Sequence, residues 1–281
     1  MDLRLAQRQL TTDLTPLYGS REAALIADWV MEHLTGHKKI DRLARSAEHL
    51  PDHILSQYYI YRSELLAHRP VQYVLHESWF AGLRFYVDEN VLIPRPETEE
   101  LVQWALETIT PTGPLIDIGT GSGCIPIAIA RKLPTLPIHA CDISTGALHV
   151  AGRNAAYFGA HITFHHLDFL DRQAWAGLPP IRWLISNPPY IPLDERSTMA
   201  PHVTNAEPAL ALFVPDADPL IFYRTIAEYS SRYLQPGGGV FVEIHEGMAA
   251  SVAELFRSHG ASAVEIRKDL SGKDRMIKGN W

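Results

Sequence analysis

The sequence predicts an α/β fold with a mainly parallel sheet, preceded by a small helical domain. From residue 114 onward, short apolar strands alternate with helical patterns, which is typical of a parallel sheet covered by helices on both faces. Before residue 70, apolar residues recur at helical spacing without strand alternation. We therefore expect a helical domain over residues 1–75, a linker over 76–95 and the sheet domain over 96–281.

Composition excludes several classes of protein. The 281 residues are 46% hydrophobic and 20% charged, which is typical of ordered globular chains. The net charge of −7 argues against a protein that binds nucleic acid over its whole surface. No apolar run approaches a membrane span, so we expect no membrane partner. Two cysteines and no metal-ligand spacing among the histidines predict a reducing, cytoplasmic setting and no metal.

The N-terminal elements are predicted from caps and breakers. Ser20 is expected to cap a helix that stops at Gly36, and a second helix is expected after Pro51. Residues 79–87 are β-rich, 88–90 have turn composition and 91–93 are apolar, which predicts a hairpin whose turn lies at 88–90. The Pro-Arg-Pro run that follows should end this hairpin, and a helix should start near Thr98.

The sheet domain is predicted to contain seven strands. We expect strands at residues 115–118, 138–141, 162–164, 183–186 and 240–244, and a final hairpin formed by 263–266 and 276–278. The intervening helices are expected at 122–133, 144–158, 220–233 and 248–259, with the third stopped by the glycine run after Pro236. In such sheets ligands bind beyond the carboxyl ends of the strands, and chemistry is expected there.

A glycine-rich loop follows the first of these strands and opens a helix. Glycines allow positive φ and close approach of a ligand. Asp142 ends the next strand, where a carboxylate can bond both ribose hydroxyls. The loop and this acid together predict an adenosine-containing cofactor. The residues predicted to bind it are Asp117, Gly119, Thr120, Gly121, Ser122, Gly123 and Asp142.

The glycine spacing favours one such cofactor. The dinucleotide fingerprint is G-x-G-x-x-G, whereas this loop reads G-x-G-x-G. Asp117 would repel a pyrophosphate and attract the ammonium group of a methionine. We therefore predict S-adenosyl-L-methionine, with S-adenosyl-L-homocysteine as the product. After the third strand, Asp168 is expected to accept from the adenine amine and Phe169 to contact the ring.

The fourth strand ends in an Asn-Pro-Pro-Tyr motif. The prolines remove backbone donors, so carbonyl groups there can point into the cleft beside the Asn187 side-chain carbonyl. Two acceptors and an aromatic face suit a planar NH₂ group. Holding its hydrogens out of plane returns lone-pair density to nitrogen and aims it at the sulfonium methyl. The predicted catalytic and substrate-binding residues are Asn187, Pro188, Pro189 and Tyr190, with Asn187 also contacting the cofactor.

With these motifs, the sequence resembles the peptide chain release factor glutamine methyltransferases, also known as the HemK or PrmC family. The resemblance covers nearly the whole chain. It rests on residues 92–99, 117–123, Asp142, 186–191, Glu207-Pro208 and 269–275. Asn-Pro-Pro-Tyr is shared with adenine-amine methyltransferases, whereas the Pro-Arg-Pro-Glu-Thr-Glu and C-terminal Asp-Leu-x-Gly-x-Asp-Arg segments are more selective. As departures, His68 and His76 stand where the family usually has glycine.

The resemblance implies a seven-stranded, Rossmann-like S-adenosylmethionine-dependent methyltransferase domain, joined by a β-hairpin to the small helical domain. It implies methylation of the glutamine amide nitrogen (N5) in the Gly-Gly-Gln motif of class I peptide chain release factors. It also implies that the helical domain helps to hold this substrate and that Arg95 and Glu97 bind it. We expect a monomer with no direct nucleic-acid partner.

Two alternatives stay open. A nucleic-acid adenine-amine methyltransferase would use the same Asn-Pro-Pro-Tyr site, although the net charge of −7 and the lack of a Lys/Arg run disfavour it. A non-catalytic adapter would keep the fold, but the intact glycine loop and Asp142 argue against it. Glu243 should end a strand at the edge of the cleft, where a site role and a structural role are equally expected, and the role of Glu207 is open.

Overall fold

The computed structural model describes residues 1–199, 204 and 206–281. The chain divides into two compact units. The first contains Met1–Glu77, and the second contains Ser78–Met199 and Glu207–Trp281. Among the described residues, no helix is long and apolar enough to cross a membrane.

The first unit is helical. Its helices are α1 (Leu3–Thr35), α2 (Lys39–Ala44), α3 (Asp52–Leu66) and α4 (Val71–Leu75). The predicted helix after Pro51 is confirmed, and Gly36 ends α1 in the left-handed conformation expected of a helix stop (φ 68°). The core of this unit joins α1 to α3, where the buried Tyr58 hydroxyl donates to the carbonyl oxygen of Ala6 at 3.0 Å.

The helical turns before Gly19 were not predicted. Gly19 has φ 76° and kinks α1, so Leu3 to Tyr18 form a segment of their own. Threonine is common in strands, and a proline such as Pro16 usually interrupts a helix. The sequence of this segment therefore did not indicate a helix. In the structure, the hydroxyls of Thr11 and Thr15 donate to carbonyl groups one turn earlier, at 2.9 and 2.7 Å, and so remain compatible with the helix.

Two histidines of the first unit adopt left-handed backbone conformations. His68 has φ 63° and His76 has φ 53°. A non-glycine residue pays about 1 kcal/mol or more for this conformation. These are the two positions at which the resemblance implies glycine, and their backbone conformation suits glycine.

A hairpin forms in this segment, but the predicted pairing of residues 79–87 with 91–93 around a turn at 88–90 is wrong. The strands are β1 (Ser78–Phe80) and β2 (Leu83–Phe85), paired antiparallel. Ala81 and Gly82 form the turn with φ 50° and 74°, because two residues with positive φ match the twist of a two-residue hairpin. Residues 91–93 form no strand, and the N–H of Ile93 instead donates to Glu207 Oε2 at 3.1 Å.

The second unit contains the predicted seven-stranded sheet. Its strands are β3 (Leu115–Ile118), β4 (Ile138–Asp142), β5 (Thr163–His166), β6 (Ile181–Ser186), β9 (Leu234–Glu243), β10 (Ala263–Lys268) and β11 (Asp274–Asn280); β7 (Ile191–Pro192) and β8 (Phe213–Val214) form a separate parallel pair. The spatial order is β10-β11-β9-β6-β3-β4-β5. The β10–β11 hairpin is antiparallel and the other five strands are parallel, which confirms the predicted α/β class.

Helices cover both faces of this sheet. They are α5 (Pro96–Thr108), α6 (Cys124–Lys132), α7 (Thr145–Phe158), α8 (Ala209–Leu212), α9 (Ile221–Tyr233) and α10 (Ala249–Ser258). One buried cluster includes Phe85 of the hairpin and Trp104 of α5, and the other includes Tyr229 of α9 and Phe256 of α10. The result is a three-layer arrangement whose strand ends are available for a site.

The glycine run after Pro236 lies within β9 rather than before it. α9 ends at Tyr233, and β9 already begins at Leu234. A Cβ atom at Gly238 would lie 2.3 Å from the carbonyl oxygen of Arg182, so close approach of two backbones requires glycine there. The predicted strand at 240–244 therefore starts earlier than expected.

Candidate active site

Four neighbouring parallel strands end at the same level of the sheet. Across β4, β3, β6 and β9, one row of paired residues is Cys141, Ile118, Ser186 and Val242. The next residue of each strand or loop is therefore Asp142, Gly119, Asn187 and Glu243, respectively. The chain runs from β3 to β4 on one side and places β6 on the other, so β3 and β6 flank a topological switch point, where ligands bind in such sheets.

The glycine loop lies at the end of β3. The N–H groups of Gly119 and Thr120 donate to the carbonyl oxygen of Cys141 at 2.9 and 3.0 Å. Gly119 has φ 72° and Gly121 has φ 53°, and a Cβ atom on either would meet no atom within 4 Å. Open space beside a backbone held in these conformations allows a ligand to approach the main chain closely.

Buried oxygen atoms without partners surround this loop. Asp117 is fully buried, and burial raises the pKa of its carboxyl group to about 7. Thr120 lies close enough to this carboxyl to lower its pKa, although the two side chains form no hydrogen bond. Among the described residues, neither Asp117 oxygen, the Thr120 hydroxyl nor the Ser122 hydroxyl has a hydrogen-bond partner. Each such group destabilises the fold by ~1–3 kcal/mol. A ligand with cationic N–H donors, such as the methionine end of S-adenosylmethionine, fits this set.

Asp142 is fixed by the backbone on both sides. Its Oδ2 accepts from Gly121 N and its Oδ1 accepts from Ser144 N, each at 2.9 Å. Burial raises the pKa of this carboxyl, and these N–H bonds act in the opposite direction. Each carboxylate oxygen can accept a second bond. The two backbone hydrogen bonds therefore fix the orientation of this carboxylate, and ribose binding by Asp142 stays a prediction.

Asp168 and Phe169, the two residues predicted to contact adenine, lie in different environments: Asp168 is exposed and Phe169 is buried. Asp168 Oδ1 accepts from Leu170 N at 2.9 Å on the exposed side. The Phe169 ring is only 4% exposed and lies in the core against Trp175 and Tyr229, with ring centroids 5.7 and 5.4 Å away. The predicted adenine contact therefore rests on Asp168 more than on Phe169, whose ring is largely covered by its neighbours.

A chain of hydrogen bonds joins Asn187 to a buried acid. Asn187 Nδ2 donates to Thr98 Oγ1 at 3.0 Å, and Thr98 Oγ1 donates to Glu243 Oε2 at 2.6 Å. The Tyr190 hydroxyl donates to Glu243 Oε1 at 3.1 Å. No described residue donates to Asn187 Oδ1 or to the carbonyl oxygen of Pro188. Two acceptors of the Asn-Pro-Pro-Tyr motif are thus left for a substrate.

Glu243 is the acid that accepts the hydrogen bonds from Thr98 and Tyr190. It is 1% exposed, and burial raises the pKa of its carboxyl to about 7. The hydrogen bonds from Thr98 and Tyr190 and the charge of Arg275 lower this pKa, while Glu97 raises it. Glu243 therefore lies in the core and is hydrogen-bonded to Tyr190 of the Asn-Pro-Pro-Tyr motif.

The segment before α5 is anchored by a second buried acid. Arg95 Nη2 donates to Glu207 Oε1 at 2.6 Å, and the Ile93 N–H donates to the other Glu207 oxygen. The structure therefore places Arg95 in an ion pair with a residue 112 positions away and brings Glu97 close enough to act on Glu243. That Arg95 and Glu97 bind substrate stays a prediction.

Sequence reasoning missed Thr98 as a site residue. It directly follows Glu97, one of the two predicted residues of its segment, and it is 3% exposed. Its spacing from Leu101, Val102 and Ala105 places it on the buried face of α5. A threonine at the spacing of the buried face, between Glu97 and Glu99 of the first turn, is the feature of the sequence that could have indicated it.

Comparison with known proteins agrees with this geometry. A family described as Methyltransferase small domain matches residues 98–210, and one described as PrmC N-terminal domain matches residues 6–75. The chain is 36% identical to a Release factor glutamine methyltransferase from Flavobacterium psychrophilum over 97% of each chain. It is 38% identical to one from Chlorobaculum tepidum, covering 91% of this chain and 90% of that relative.

A solved structure shares the fold. A methyltransferase from Pyrococcus furiosus, 14% identical, superposes with a TM-score of 0.51 over 71% of this chain and 89% of that one. The relatives that align along nearly their whole length confirm the resemblance inferred from the motifs. The chain belongs to the release factor glutamine methyltransferase family.

Proposed function

We propose that this chain transfers a methyl group from S-adenosyl-L-methionine to the side-chain amide nitrogen (N5) of the glutamine in the Gly-Gly-Gln motif of class I peptide chain release factors. The observation that carries this proposal is the Asn187 amide. Its NH₂ group donates to Thr98, and no described residue donates to its carbonyl oxygen. Asn187 lies at the same level of the sheet as Gly119 and Asp142. The names of the aligned relatives support the choice of substrate.

The substrate amide is held by acceptors. Asn187 Oδ1 and the Pro188 carbonyl oxygen each accept one hydrogen of its NH₂ group, and the Tyr190 ring covers its flat face. The hydroxyl of Tyr190 is fixed on Glu243, so the ring is already oriented. Drawing both hydrogens away from the amide plane reduces the delocalisation of the nitrogen lone pair. The nitrogen then attacks in line, where positioning supplies much of the rate.

The glycine loop and its two acids hold the cofactor. When bound, S-adenosylmethionine supplies a sulfonium-activated methyl group. Asp117 binds the methionine ammonium, Asp142 binds the ribose hydroxyls, and the open backbone at Gly119 and Gly121 admits the chain between them. The substrate nitrogen forms a bond to the methyl carbon while the sulfur–carbon bond breaks, and it then releases a proton to water. No strong base is needed before attack.

The helical unit is proposed to hold the rest of the release factor. A flexible loop alone offers few contacts, and binding energy from remote contacts is what positions a reacting group in a large substrate. The match of residues 6–75 to the PrmC N-terminal domain supports this division of labour. We propose that the protein acts as a monomer in the cytoplasm.

The test is methyl transfer from labelled S-adenosylmethionine. Purified protein is incubated in parallel with a class I release factor, with the same factor carrying Gln→Ala in its Gly-Gly-Gln motif, with tRNA and with duplex DNA. We expect label only on the unmodified release factor. Label on the Gln→Ala factor would contradict methylation of the glutamine amide nitrogen. Label on tRNA or DNA alone would favour a nucleic-acid adenine-amine methyltransferase.

A further inference from the structure

We propose that Thr98 and Glu243 are positioning residues that set which end of the Asn187 amide faces the substrate, and that they do so only while Glu243 is ionised. This inference rests on the proposed function and extends it to two residues outside the Asn-Pro-Pro-Tyr motif. It follows from the direction of the hydrogen bonds that link the three side chains.

An asparagine side chain has two ends of nearly the same shape and opposite hydrogen-bonding character. Only the carbonyl end of Asn187 can accept from a substrate NH₂ group. The protein must therefore turn the other end away. Thr98 does this, because its oxygen accepts from Asn187 Nδ2 at 3.0 Å.

Thr98 can accept from Asn187 because its own proton is engaged elsewhere. A hydroxyl has one proton, and Thr98 donates it to Glu243 Oε2 at 2.6 Å. Only lone pairs of Thr98 then remain for Asn187. An ionised carboxylate is an acceptor at both oxygens, and Glu243 also accepts from the Tyr190 hydroxyl at 3.1 Å. One negative charge thus fixes the direction of three hydrogen bonds.

A proton on Glu243 would reverse this direction. A protonated Oε2 would donate to Thr98, whose own proton would then turn toward Asn187. The amide would have to present Oδ1 to Thr98 and its NH₂ group to the substrate. Two NH₂ groups that face each other form no hydrogen bond, so the substrate nitrogen would lose one of its two acceptors.

The groups around Glu243 set the pH at which its carboxyl takes up a proton. Arg275 from β11 favours the ionised form, and Glu97 from the start of α5 opposes it. The Tyr223 hydroxyl of α9 donates to the backbone carbonyl of Glu243 at 3.1 Å, and Tyr190 binds the carboxylate itself. Burial dominates and raises the pKa of Glu243 to about 7. Protonation is therefore expected near neutral pH.

Variants of Thr98 test the positioning role. Thr98→Val keeps the shape and removes the hydroxyl, and Thr98→Ser restores a hydroxyl at the same place. With a class I release factor as substrate, we expect Thr98→Val to lower kcat by ~100-fold, the scale of lost alignment. KM for the release factor and calorimetric affinity for S-adenosylmethionine should stay near wild type, and Thr98→Ser should recover most of kcat. A Thr98→Val variant with wild-type kcat, or a Thr98→Ser variant no better than Thr98→Val, would overturn the inference.

The pH profile tests Glu243 separately. In the wild type, kcat should fall on the acid side with a midpoint near 7, and Glu243→Gln should lack this fall. The same acid fall in Glu243→Gln would exclude this carboxyl as its source.

A readout without turnover separates this inference from the proposed function. The side-chain NH₂ resonances of Asn187, assigned by their loss in Asn187→Ala, should shift in wild-type protein with a midpoint near pH 7. They should not titrate in Glu243→Gln. Wild-type protein that fails to methylate any release factor would contradict the proposed function alone. Asn187 resonances that do not respond to pH in the wild type would contradict the coupling to Glu243, whatever the substrate.

Discussion

The hydroxyl of Ser186 donates a 2.7 Å hydrogen bond to the carbonyl oxygen of Ile118. Ser186 is the last residue of β6 and precedes Asn187, and Ile118 is the last residue of β3 and precedes Gly119. Both residues are buried, so water does not compete for the bond. It ties the strand end before Asn187, the residue proposed to hold the substrate nitrogen, to the strand end before the loop proposed to hold the cofactor. In the proposed reaction, paired strands would therefore set the distance between the nucleophile and the methyl group.

The cofactor site is tested first by replacing Asp142. We expect Asp142→Ala to weaken S-adenosylmethionine binding by ~1.5–3 kcal/mol, because a charge-assisted hydrogen bond to the ribose is lost. Calorimetry measures this directly. Asp171→Ala is the matched control, since it removes an exposed carboxylate whose only hydrogen-bond donor among the described residues is the nearby backbone N–H of Gln173. Equal affinity in the two variants would remove Asp142 from the site.

The division of labour between the two units is tested by truncation at the boundary. A chain that begins at Ser78 keeps the β1–β2 hairpin, including the fully buried Phe80 and Phe85. We expect it to bind S-adenosylmethionine with near-normal affinity and to lose most turnover on an intact release factor. Full turnover on the intact factor would show that the first unit is dispensable.

A second truncation serves as its control. A chain that begins at residue 90 lacks Phe80 and Phe85, and the loss of each buried aromatic side chain destabilises a core by ~3–5 kcal/mol. We expect this shorter chain to unfold at a clearly lower urea concentration than the chain beginning at Ser78. Equal urea midpoints would show that the hairpin contributes nothing to the second core.

The left-handed histidines predict a stabilising substitution. His68→Gly should raise the free energy of unfolding by ~0.5–1 kcal/mol, because glycine adopts φ 63° without steric strain. His149→Gly is the control, since His149 is an exposed residue inside α7, where glycine should lower stability by a similar amount. Urea unfolding measures both. A loss of stability in His68→Gly would mean that the imidazole side chain outweighs the backbone strain.

The sheet and its ligand-binding end were predictable because their determinants are local. Apolar runs fixed each strand, and Gly119, Asp142 and Asn187 each follow a strand directly. The turn at Ala81 was not predictable, because alanine gives no indication of positive φ. The link from Thr98 to Glu243 spans 145 residues and depends on β9 lying beside β6, which no local pattern specifies. Nonlocal strand pairing is what completes the site.

Asn187 is proposed to hold the substrate amide and to contribute little to cofactor binding. The most direct test measures kcat for methylation of a class I release factor and S-adenosylmethionine affinity in the same preparation of Asn187→Ala. We predict that turnover is abolished, since a lost oriented hydrogen bond costs ~1–3 kcal/mol and lost alignment adds ~100-fold in rate. Cofactor affinity should stay within about tenfold of wild type, because Asp117, Asp142 and the glycine loop are unchanged. Near-normal turnover in Asn187→Ala would contradict the role proposed for this residue.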